Sequence, residues 1–340
     1  MIVEHLIADT FGTHIGKYSE RLKITQGKET LAQAPLLHLR SVTITSRGVS
    51  ISSDALAACC ERGISIFFLD NHGNNFASVY ASGLTGTVLT RRAQLMAYHD
   101  IRGLHVAIII AAAKIHNQAA TLKYFAKTRA ESAPEAAHEL RLCAGEILDH
   151  LAALESLEGL TVDDSRQQIM GIEGSAARRY WSALAALIPQ QYEWPGRQGR
   201  GAADPLNSLL NYGYGILYGQ IEQAIILAGL DPYAGFLHAD RPGKPSLTLD
   251  LIEEFRQVAI DRLVFGLATR SFNIRQDEQG LLGAETRRAL SEKVLQHLEA
   301  GVRYRDKRYP LRFVIQSQAR HLASFLRGEQ EAYTPFKATY

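Results

Sequence analysis

Four residues in the second half of the chain have the types and spacing for hard-metal chemistry: Glu173 in Gly-Ile-Glu-Gly, His238 in Gly-Phe-Leu-His, and Asp250 and Glu253 in Asp-Leu-Ile-Glu-Glu-Phe-Arg. Carboxylates and an imidazole gathered on one ion hold Mg²⁺ or Mn²⁺ and leave coordination positions for water and phosphate oxygens. Such a site suits phosphodiester chemistry.

Each of these residues also has an ordinary reading. Glu173 lies between Gly171 and Gly174, just ahead of an amphipathic run at 175–187. There a carboxylate either meets a ligand that approaches the backbone closely or simply caps a helix start. His238 is one of 12 histidines, and a lone histidine is more often structural than functional. Its tether to the acids is what singles it out. Arg241, Pro242, Lys244 and Pro245 form a stiff, basic connector that delivers Asp250 to the next helix. In that helix Leu251, Phe255, Val258 and Phe265 follow an apolar face, while Asp250, Glu253 and Gln257 share another line. One acid then ligates the metal, and the other hydrogen-bonds a bound water or holds His238 in its tautomer. The alternative is an acidic first turn that complements the helix dipole.

The elements that must position these residues fall into two groups. Short runs rich in β-branched and aromatic residues occupy 18–25, 41–45, 64–69 and 76–80, separated by turns such as Gln26-Gly27-Lys28 and Asp70-Asn71-His72-Gly73. Residues 1–80 therefore read as a small, mainly β, sandwich-like domain. One helix interrupts it, with Ser52 or Ser53 capping 54–60 and Gly63 as the left-handed stop. From Thr87 the period becomes helical, over 87–100, 103–130, 135–158, 175–187, 204–229, 250–268, 285–300 and 313–326. The chain is thus α+β: a β domain, a short linker at 81–86 (Ala-Ser-Gly-Leu-Thr-Gly), a nearly all-α metal-binding domain at 87–330 and a tail at 331–340. A length of 340 residues favours two domains over one core.

Composition narrows the partners. A net charge of +2 is far from the excess of a small nucleic-acid-binding domain, so DNA contact must come from local clusters. Arg197 and Arg200 sit on a glycine-rich loop at 190–203 that can follow a phosphate backbone or be plain surface. Asp204 and Pro205 restart a helix after it. Arg178 and Arg179 follow Glu173, and Arg303, Arg305, Lys307, Arg308, Arg312 and Arg320 form the densest basic group. Tyr212, Tyr214 and Tyr218 have the spacing of core residues. Cys59, Cys60 and Cys143 make neither a disulfide framework nor a thiolate zinc site. No secretory pattern opens the sequence and the apolar run 104–113 is too short to span a bilayer, so a cytoplasmic protein is expected.

The segments Leu-Arg-Ser-Val-Thr-Ile, Gly-Ile-Ser-Ile-Phe-Phe-Leu-Asp, Arg-Arg-Ala-Gln-Leu, Ala-Lys-Ile-His-Asn-Gln, Gly-Ile-Glu-Gly, Asp-Pro-Leu-Asn, Gly-Leu-Asp-Pro-Tyr-Ala-Gly-Phe-Leu-His and Ser-Leu-Thr-Leu-Asp-Leu-Ile-Glu-Glu-Phe-Arg occur in order. Together they resemble the CRISPR-associated adaptation integrase family, Cas-one. The resemblance implies a β domain followed by an α-helical metal domain, a homodimer formed largely through the β domains, assembly with the small Cas-two protein, and insertion of short DNA fragments into the CRISPR repeat array. It places the metal ligands on Glu173, His238 and Glu253, with Asp250 as a second functional acid. Many members carry an aromatic and a basic residue before the glycine of the connector, where this chain has Arg241-Pro242-Gly243-Lys244. That departure bears on the DNA role of Arg241 and Lys244. The implied reaction is metal-assisted transesterification, in which a DNA 3′-hydroxyl attacks a phosphodiester. Two other classes compete: a stand-alone metal-dependent nuclease, and a non-catalytic assembly subunit.

Overall fold

The computed structural model describes residues 3–81, 87–157, 159, 161–199, 201–270 and 272–340. Residues 82–86 of the expected linker lie outside the described residues.

The N-terminal region builds two four-stranded sheets. Its strands are β1 (His5–Ala8), β2 (His14–Tyr18), β3 (Arg21–Gln26), β4 (Glu29–Pro35), β5 (Ser41–Ile44), β6 (Ser50–Ile51), β7 (Ser65–Leu69) and β8 (Asn75–Val79), with helix α1 (Ser53–Glu61) between β6 and β7. One sheet has the order β1-β5-β7-β8 and the other β4-β3-β2-β6. β5 pairs in parallel with both β1 and β7 and is buried along its length, as expected of an inner parallel strand. Ile15, Leu22 and Ile24 of the second sheet share a core with Leu6, Val42 and Ile66 of the first, and α1 adds Ala55, Ala58 and Cys59. The sandwich-like expectation agrees with that shared core.

Strand prediction was coarser than the fold. The run at 18–25 is mainly β3, while β2 precedes it across a turn in which Ser19 takes φ +53°. β1 and β4 had no counterpart in the sequence reading. The turn residues behaved as their chemistry requires: Gly27 and Gly73 take φ +59° and +86°. Ser52 is the cap of α1, accepting from Ala55 N at 3.2 Å, and Gly63 at φ +67° follows its end.

The remainder is largely helical: α2 (Thr87–Ala97), α3 (Ile101–Arg129), α4 (Pro134–Glu155), α5 (Val162–Ala185), α6 (Pro205–Leu227), α7 (Ser246–Leu251), α8 (Arg262–Ala268), α9 (Ala284–Glu299) and α10 (Leu311–Leu326). α3 is the central rod. Its buried alanines, among them Ala107, Ala111, Ala119 and Ala126, let α4 and α5 pack closely along it. Asp204 caps α6 by accepting from Asn207 N at 2.9 Å, with Pro205 at the first helical position, as the sequence suggested. Among the described residues no single helix is long and apolar enough to cross a membrane.

The helical region departs from the sequence expectation in three places. The helix holding Glu173 begins at Val162, not near 175, so Glu173 lies in mid-helix and caps nothing. The single helix expected over 250–268 is broken into α7, a 3₁₀ turn at Ile252–Glu254, a π turn at Gln257–Asp261 and α8. A hairpin, β9 (Gly301–Tyr304) and β10 (Lys307–Pro310), interrupts the helical region and carries much of the C-terminal basic group.

Two further features bear on the site. The chain at 331–340 has no regular structure, yet Tyr333 and Phe336 are buried, Phe336 stacking on Phe255 at 5.5 Å. The β region also meets α6 backbone to backbone: a Cβ on Gly215 would stand 1.7 Å from the Gly73 carbonyl oxygen.

Candidate active site

The loop between α6 and α7 wraps around one carboxylate. Asp250, fully buried, accepts the backbone N–H groups of Phe236 at 2.6 Å and Leu237 at 3.1 Å on Oδ2, and that of His238 at 2.9 Å on Oδ1. Oδ1 also lies 2.7 Å from His238 Nδ1. With the carboxylate taking the Nδ1 proton as a hydrogen bond, the tautomer is set and the Nε2 lone pair is left open to a ligand. Burial pushes the His238 pKa down, but the hydrogen bond and charge of Asp250, with Glu253 behind it, outweigh burial and leave it raised.

The other two acids face a lysine. From α3, Lys114 Nζ contacts Glu173 Oε1 of α5 and lies 2.8 Å from Glu253 Oε2 of the 3₁₀ turn. Arg256 Nη1 stands 3.3 Å from the other oxygen, Glu253 Oε1. Burial alone would raise the Glu253 pKa, but the charges of Arg256, Lys114 and His238 reverse it and hold the carboxyl down at about 2. Burial likewise opposes the Lys114 charge, and Glu253 and Glu173 more than offset it.

The sequence-predicted residues are therefore brought together in two linked pairs. Glu173 and Glu253 converge on one ammonium, and His238 is joined to Asp250. Asp250, at the end of α7, and Glu253, in the 3₁₀ turn, serve different partners and do not meet on one ligand as the periodicity suggested. Asp250 points into the 236–238 loop and Glu253 toward α3. Among the described residues no three His, Cys, Asp or Glu side chains stand collected around one metal position. The ammonium of Lys114 occupies the place of a cation between the carboxylates. Two carboxylates already gathered on a positive charge and an imidazole with Nε2 available form a donor set that fits Mg²⁺ or Mn²⁺.

Lys114 was absent from the expected site, although its stretch, Ala-Lys-Ile-His-Asn-Gln, is among those carrying the resemblance. Its signal is a single Lys within 103–122 of the helix, a stretch otherwise rich in Ile and Ala, an arrangement that asks for a buried anion. One turn further on, Asn117 braces the same corner. Its Nδ2 donates to the backbone oxygens of Glu254 at 2.8 Å and Phe336 at 3.0 Å, and its Oδ1 accepts from Ala338 N at 2.8 Å. The Glu254 carboxyl turns away from the site, to Tyr333 Oη, to Gln318 Nε2 at 3.0 Å and to Phe336 N at 2.9 Å, and burial pushes its pKa up to about 7. On the other flank Arg256 lies 4.9 Å over the Tyr214 ring, and Tyr214 and Tyr180 both donate to Asp261.

Several basic candidates are committed within the chain. Arg179 pairs with Glu146 and Glu139 of α4. Arg197 donates to Asn207 Oδ1 at 3.1 Å and lies over the rings of Trp181 and Tyr214, so it packs more than it reaches outward. Arg200 lies outside the described residues. Arg178 is exposed and bonds Ser175 Oγ at 2.9 Å. Arg241 and Lys244 are exposed on a tight turn closed by Gly243 at φ +74°. Arg303 and Arg312 pair with Asp306 and Glu299, whereas Arg305 and Arg320 line a cleft of about 320 Å³ with Tyr304, Tyr309 and Phe313. Tyr212 and Tyr214 are buried, as their spacing indicated.

The chain is similar to known proteins along nearly its whole length. The family model for CRISPR associated protein Cas1 matches residues 6–296. A CRISPR-associated endonuclease Cas1 from Archaeoglobus fulgidus is 37% identical over 96% of the chain and 97% of its own length. Another from Francisella tularensis subsp. novicida is 35% identical over 98% and 99%. Among solved structures, a casposase bound to its integration product has a TM-score of 0.82 at 23% identity, covering 99% of this chain and 95% of the casposase. A Cas1 protein from Thermotoga maritima has 0.77 at 20% identity, covering 97% and 99%. The fold is likewise similar to part of a Cas6-RT-Cas1–Cas2 complex, with a TM-score of 0.75 at 20% identity over 99% of this chain and 36% of that one.

Proposed function

The chain belongs to the Cas1 family of CRISPR-associated endonucleases, and from that premise we propose that it integrates spacer DNA into a CRISPR repeat array by transesterification. In this reading a DNA 3′-hydroxyl attacks a repeat phosphodiester. The new P–O bond forms as the old one breaks, a repeat-strand 3′-hydroxyl leaves, and no covalent protein intermediate arises.

Glu173, Glu253 and His238 through Nε2 would hold Mg²⁺ or Mn²⁺, which when bound polarises the scissile phosphate and offsets charge building on its oxygens. Asp250 keeps the His238 ring oriented by taking its Nδ1 proton as a hydrogen bond and by gathering the loop N–H groups. Arg256 holds Glu253 from the side opposite Lys114. The observation that carries the reading is the convergence of Glu173 and Glu253, 80 positions apart in the numbering, on one cation position.

The partners follow from the same reading: spacer-precursor and repeat DNA, a second copy of the chain joined through residues 1–80, and a Cas2 subunit, acting in the cytoplasm, with 87–330 as the catalytic unit. The fold's presence in a Cas1–Cas2 assembly and in a casposase on its integration product accords with that. Exposed Arg178, Arg241 and Lys244 are the proposed DNA contacts on this surface.

The test is to incubate the purified chain with a branched DNA and Mn²⁺. Strand joining or disintegration is expected, and both are lost on alanine substitution of Glu173, His238 or Glu253. Cleavage with no joining would favour a plain nuclease, and no reaction an assembly subunit.

A further inference from the structure

Lys114 is the one Lys or Arg within 103–122 of α3, a stretch packed mainly through small and aliphatic side chains. Its ammonium nevertheless sits between Glu173 and Glu253, the two carboxylates assigned above to the metal. We propose that Lys114 is an internal counter-ion that competes with the divalent cation, holding Glu173 and Glu253 together until metal binding displaces its ammonium. This inference rests on the metal reading of the site.

Three observations support it. The three groups come from three separate elements, α3, α5 and the 3₁₀ turn, so without a cation two negative side chains from different elements would face each other with little water between them. Glu173, Glu253 and Lys114 side chains are only 16%, 4% and 14% exposed, so solvent screens their interaction weakly. The cation position cannot hold an ammonium and a divalent ion together, because like charges at contact distance repel strongly in such a setting.

Displacement needs no movement of the helix. Lys114 carries its charge on a flexible four-carbon stem, while Asn117, one turn away, fixes that part of α3 to the Glu254 and Phe336 backbone. Arg256 contacts the opposite oxygen of Glu253 and lies over Tyr214, so it can stay in place when the ammonium leaves. Lys114 is thus a positioning residue: it acts on the carboxylates.

The sign of the effect is fixed by electrostatics. Removing the ammonium takes away a competitor and leaves the metal-free carboxylates repelling each other, and both changes favour metal. Free Mn²⁺ is followed by its electron paramagnetic resonance signal during titration of the full chain, for wild type, Lys114→Met, Lys114→Arg and Glu173→Gln, with thermal unfolding in parallel. Lys114→Met is expected to bind Mn²⁺ at least tenfold more tightly, to melt lower than wild type without metal, and to regain most of that loss with Mn²⁺. Lys114→Arg, which keeps the charge, is expected to bind no more tightly than wild type and serves if the Met variant folds poorly. Unchanged or weaker Mn²⁺ binding by Lys114→Met, or tighter binding by Lys114→Arg, overturns the counter-ion role while leaving the metal site standing. Wild-type binding that is absent or indifferent to Glu173→Gln overturns the metal reading and this inference with it.

Discussion

His238 presents its Nδ1 to Oδ1 of Asp250 at 2.7 Å, and the same carboxylate gathers three consecutive backbone N–H groups that include the histidine's own. Ring orientation and loop shape therefore depend on one buried side chain. Asp250→Asn replaces one accepting oxygen with an NH₂ group, so either the Phe236 and Leu237 N–H pair or the His238 donors lose their acceptor. A stability loss of about 2–4 kcal/mol is expected in urea denaturation, with a fall in Mn²⁺ affinity of roughly 10–100-fold. Wild-type values for both would refute the relationship.

His238→Ala should separate chemistry from folding. The side chain is 30% exposed and contributes one donor of the four to Asp250, so stability should change by no more than about 1 kcal/mol. Disintegration of a branched DNA should fall by at least about a hundredfold. Equal losses in both would mean that the ring is structural.

Asp261 gives a pH dependence of definite sign. Burial raises its carboxyl from 3.8 to about 6, against the hydrogen bonds from Tyr214 and Tyr180 that favour the charged form. Between these values the folded chain keeps a proton that the unfolded chain has released, so stability from this group falls as pH rises through the window and levels off above it. The drop amounts to about 3 kcal/mol across the window. Asp261→Asn should remove this slope from stability curves measured between pH 4 and 7; a slope that survives the substitution would assign it elsewhere.

The C-terminal strap should be felt around Glu253 and Glu254. Phe336→Ala removes a buried ring stacked on Phe255 and is expected to cost about 3–5 kcal/mol. Amide exchange at 252–256 should accelerate more than at α9, since Asn117 ties the backbone oxygens of Glu254 and Phe336 together. Uniform acceleration would show that the strap stabilises the whole and braces nothing in particular.

Two glycines of α6 predict unequal outcomes for the same change. A Cβ on Gly213 would meet the Cγ2 methyl of buried Ile260 at 2.9 Å, a side-chain atom that yields by a small shift of that residue, whereas on Gly215 it would overlap the Gly73 carbonyl at 1.7 Å, which is backbone. Gly213→Ala should cost about 1 kcal/mol and Gly215→Ala about 3 kcal/mol or more by thermal unfolding. The reverse order would rule out the close backbone contact between α6 and the β7–β8 turn.

How far the sequence reached can be followed residue by residue. His238 and Asp250 were legible because a short, proline-stiffened connector joins them, and their contact is local in the chain. Glu173 was legible as a candidate but misplaced, since two glycines in its neighbourhood mimic a helix start although α5 runs through both. Lys114 was not legible as a partner: nothing local ties α3 to an acid 139 positions later in the numbering, and only packing brings them together. The β9–β10 hairpin escaped because its alternation, Val302 and Tyr304 inward with Gly301 and Arg303 outward, is short and hidden in a run of charge. The break in the helix over 250–268 left no trace either, because its apolar positions, buried except for the half-buried Leu263 and Leu267, satisfy an α-helical period about as well as the turns that replace it.

That break has a consequence of its own. An over-wound turn at Ile252–Glu254 is followed closely by an under-wound one at Gln257–Asp261, and the two errors in phase partly cancel. The stretch is therefore tuned in length more than in spelling. Dropping one residue from the wide turn would swing the acidic side chains upstream out of step with the aromatic anchors downstream, while many letter changes that keep the spacing would leave the phase intact.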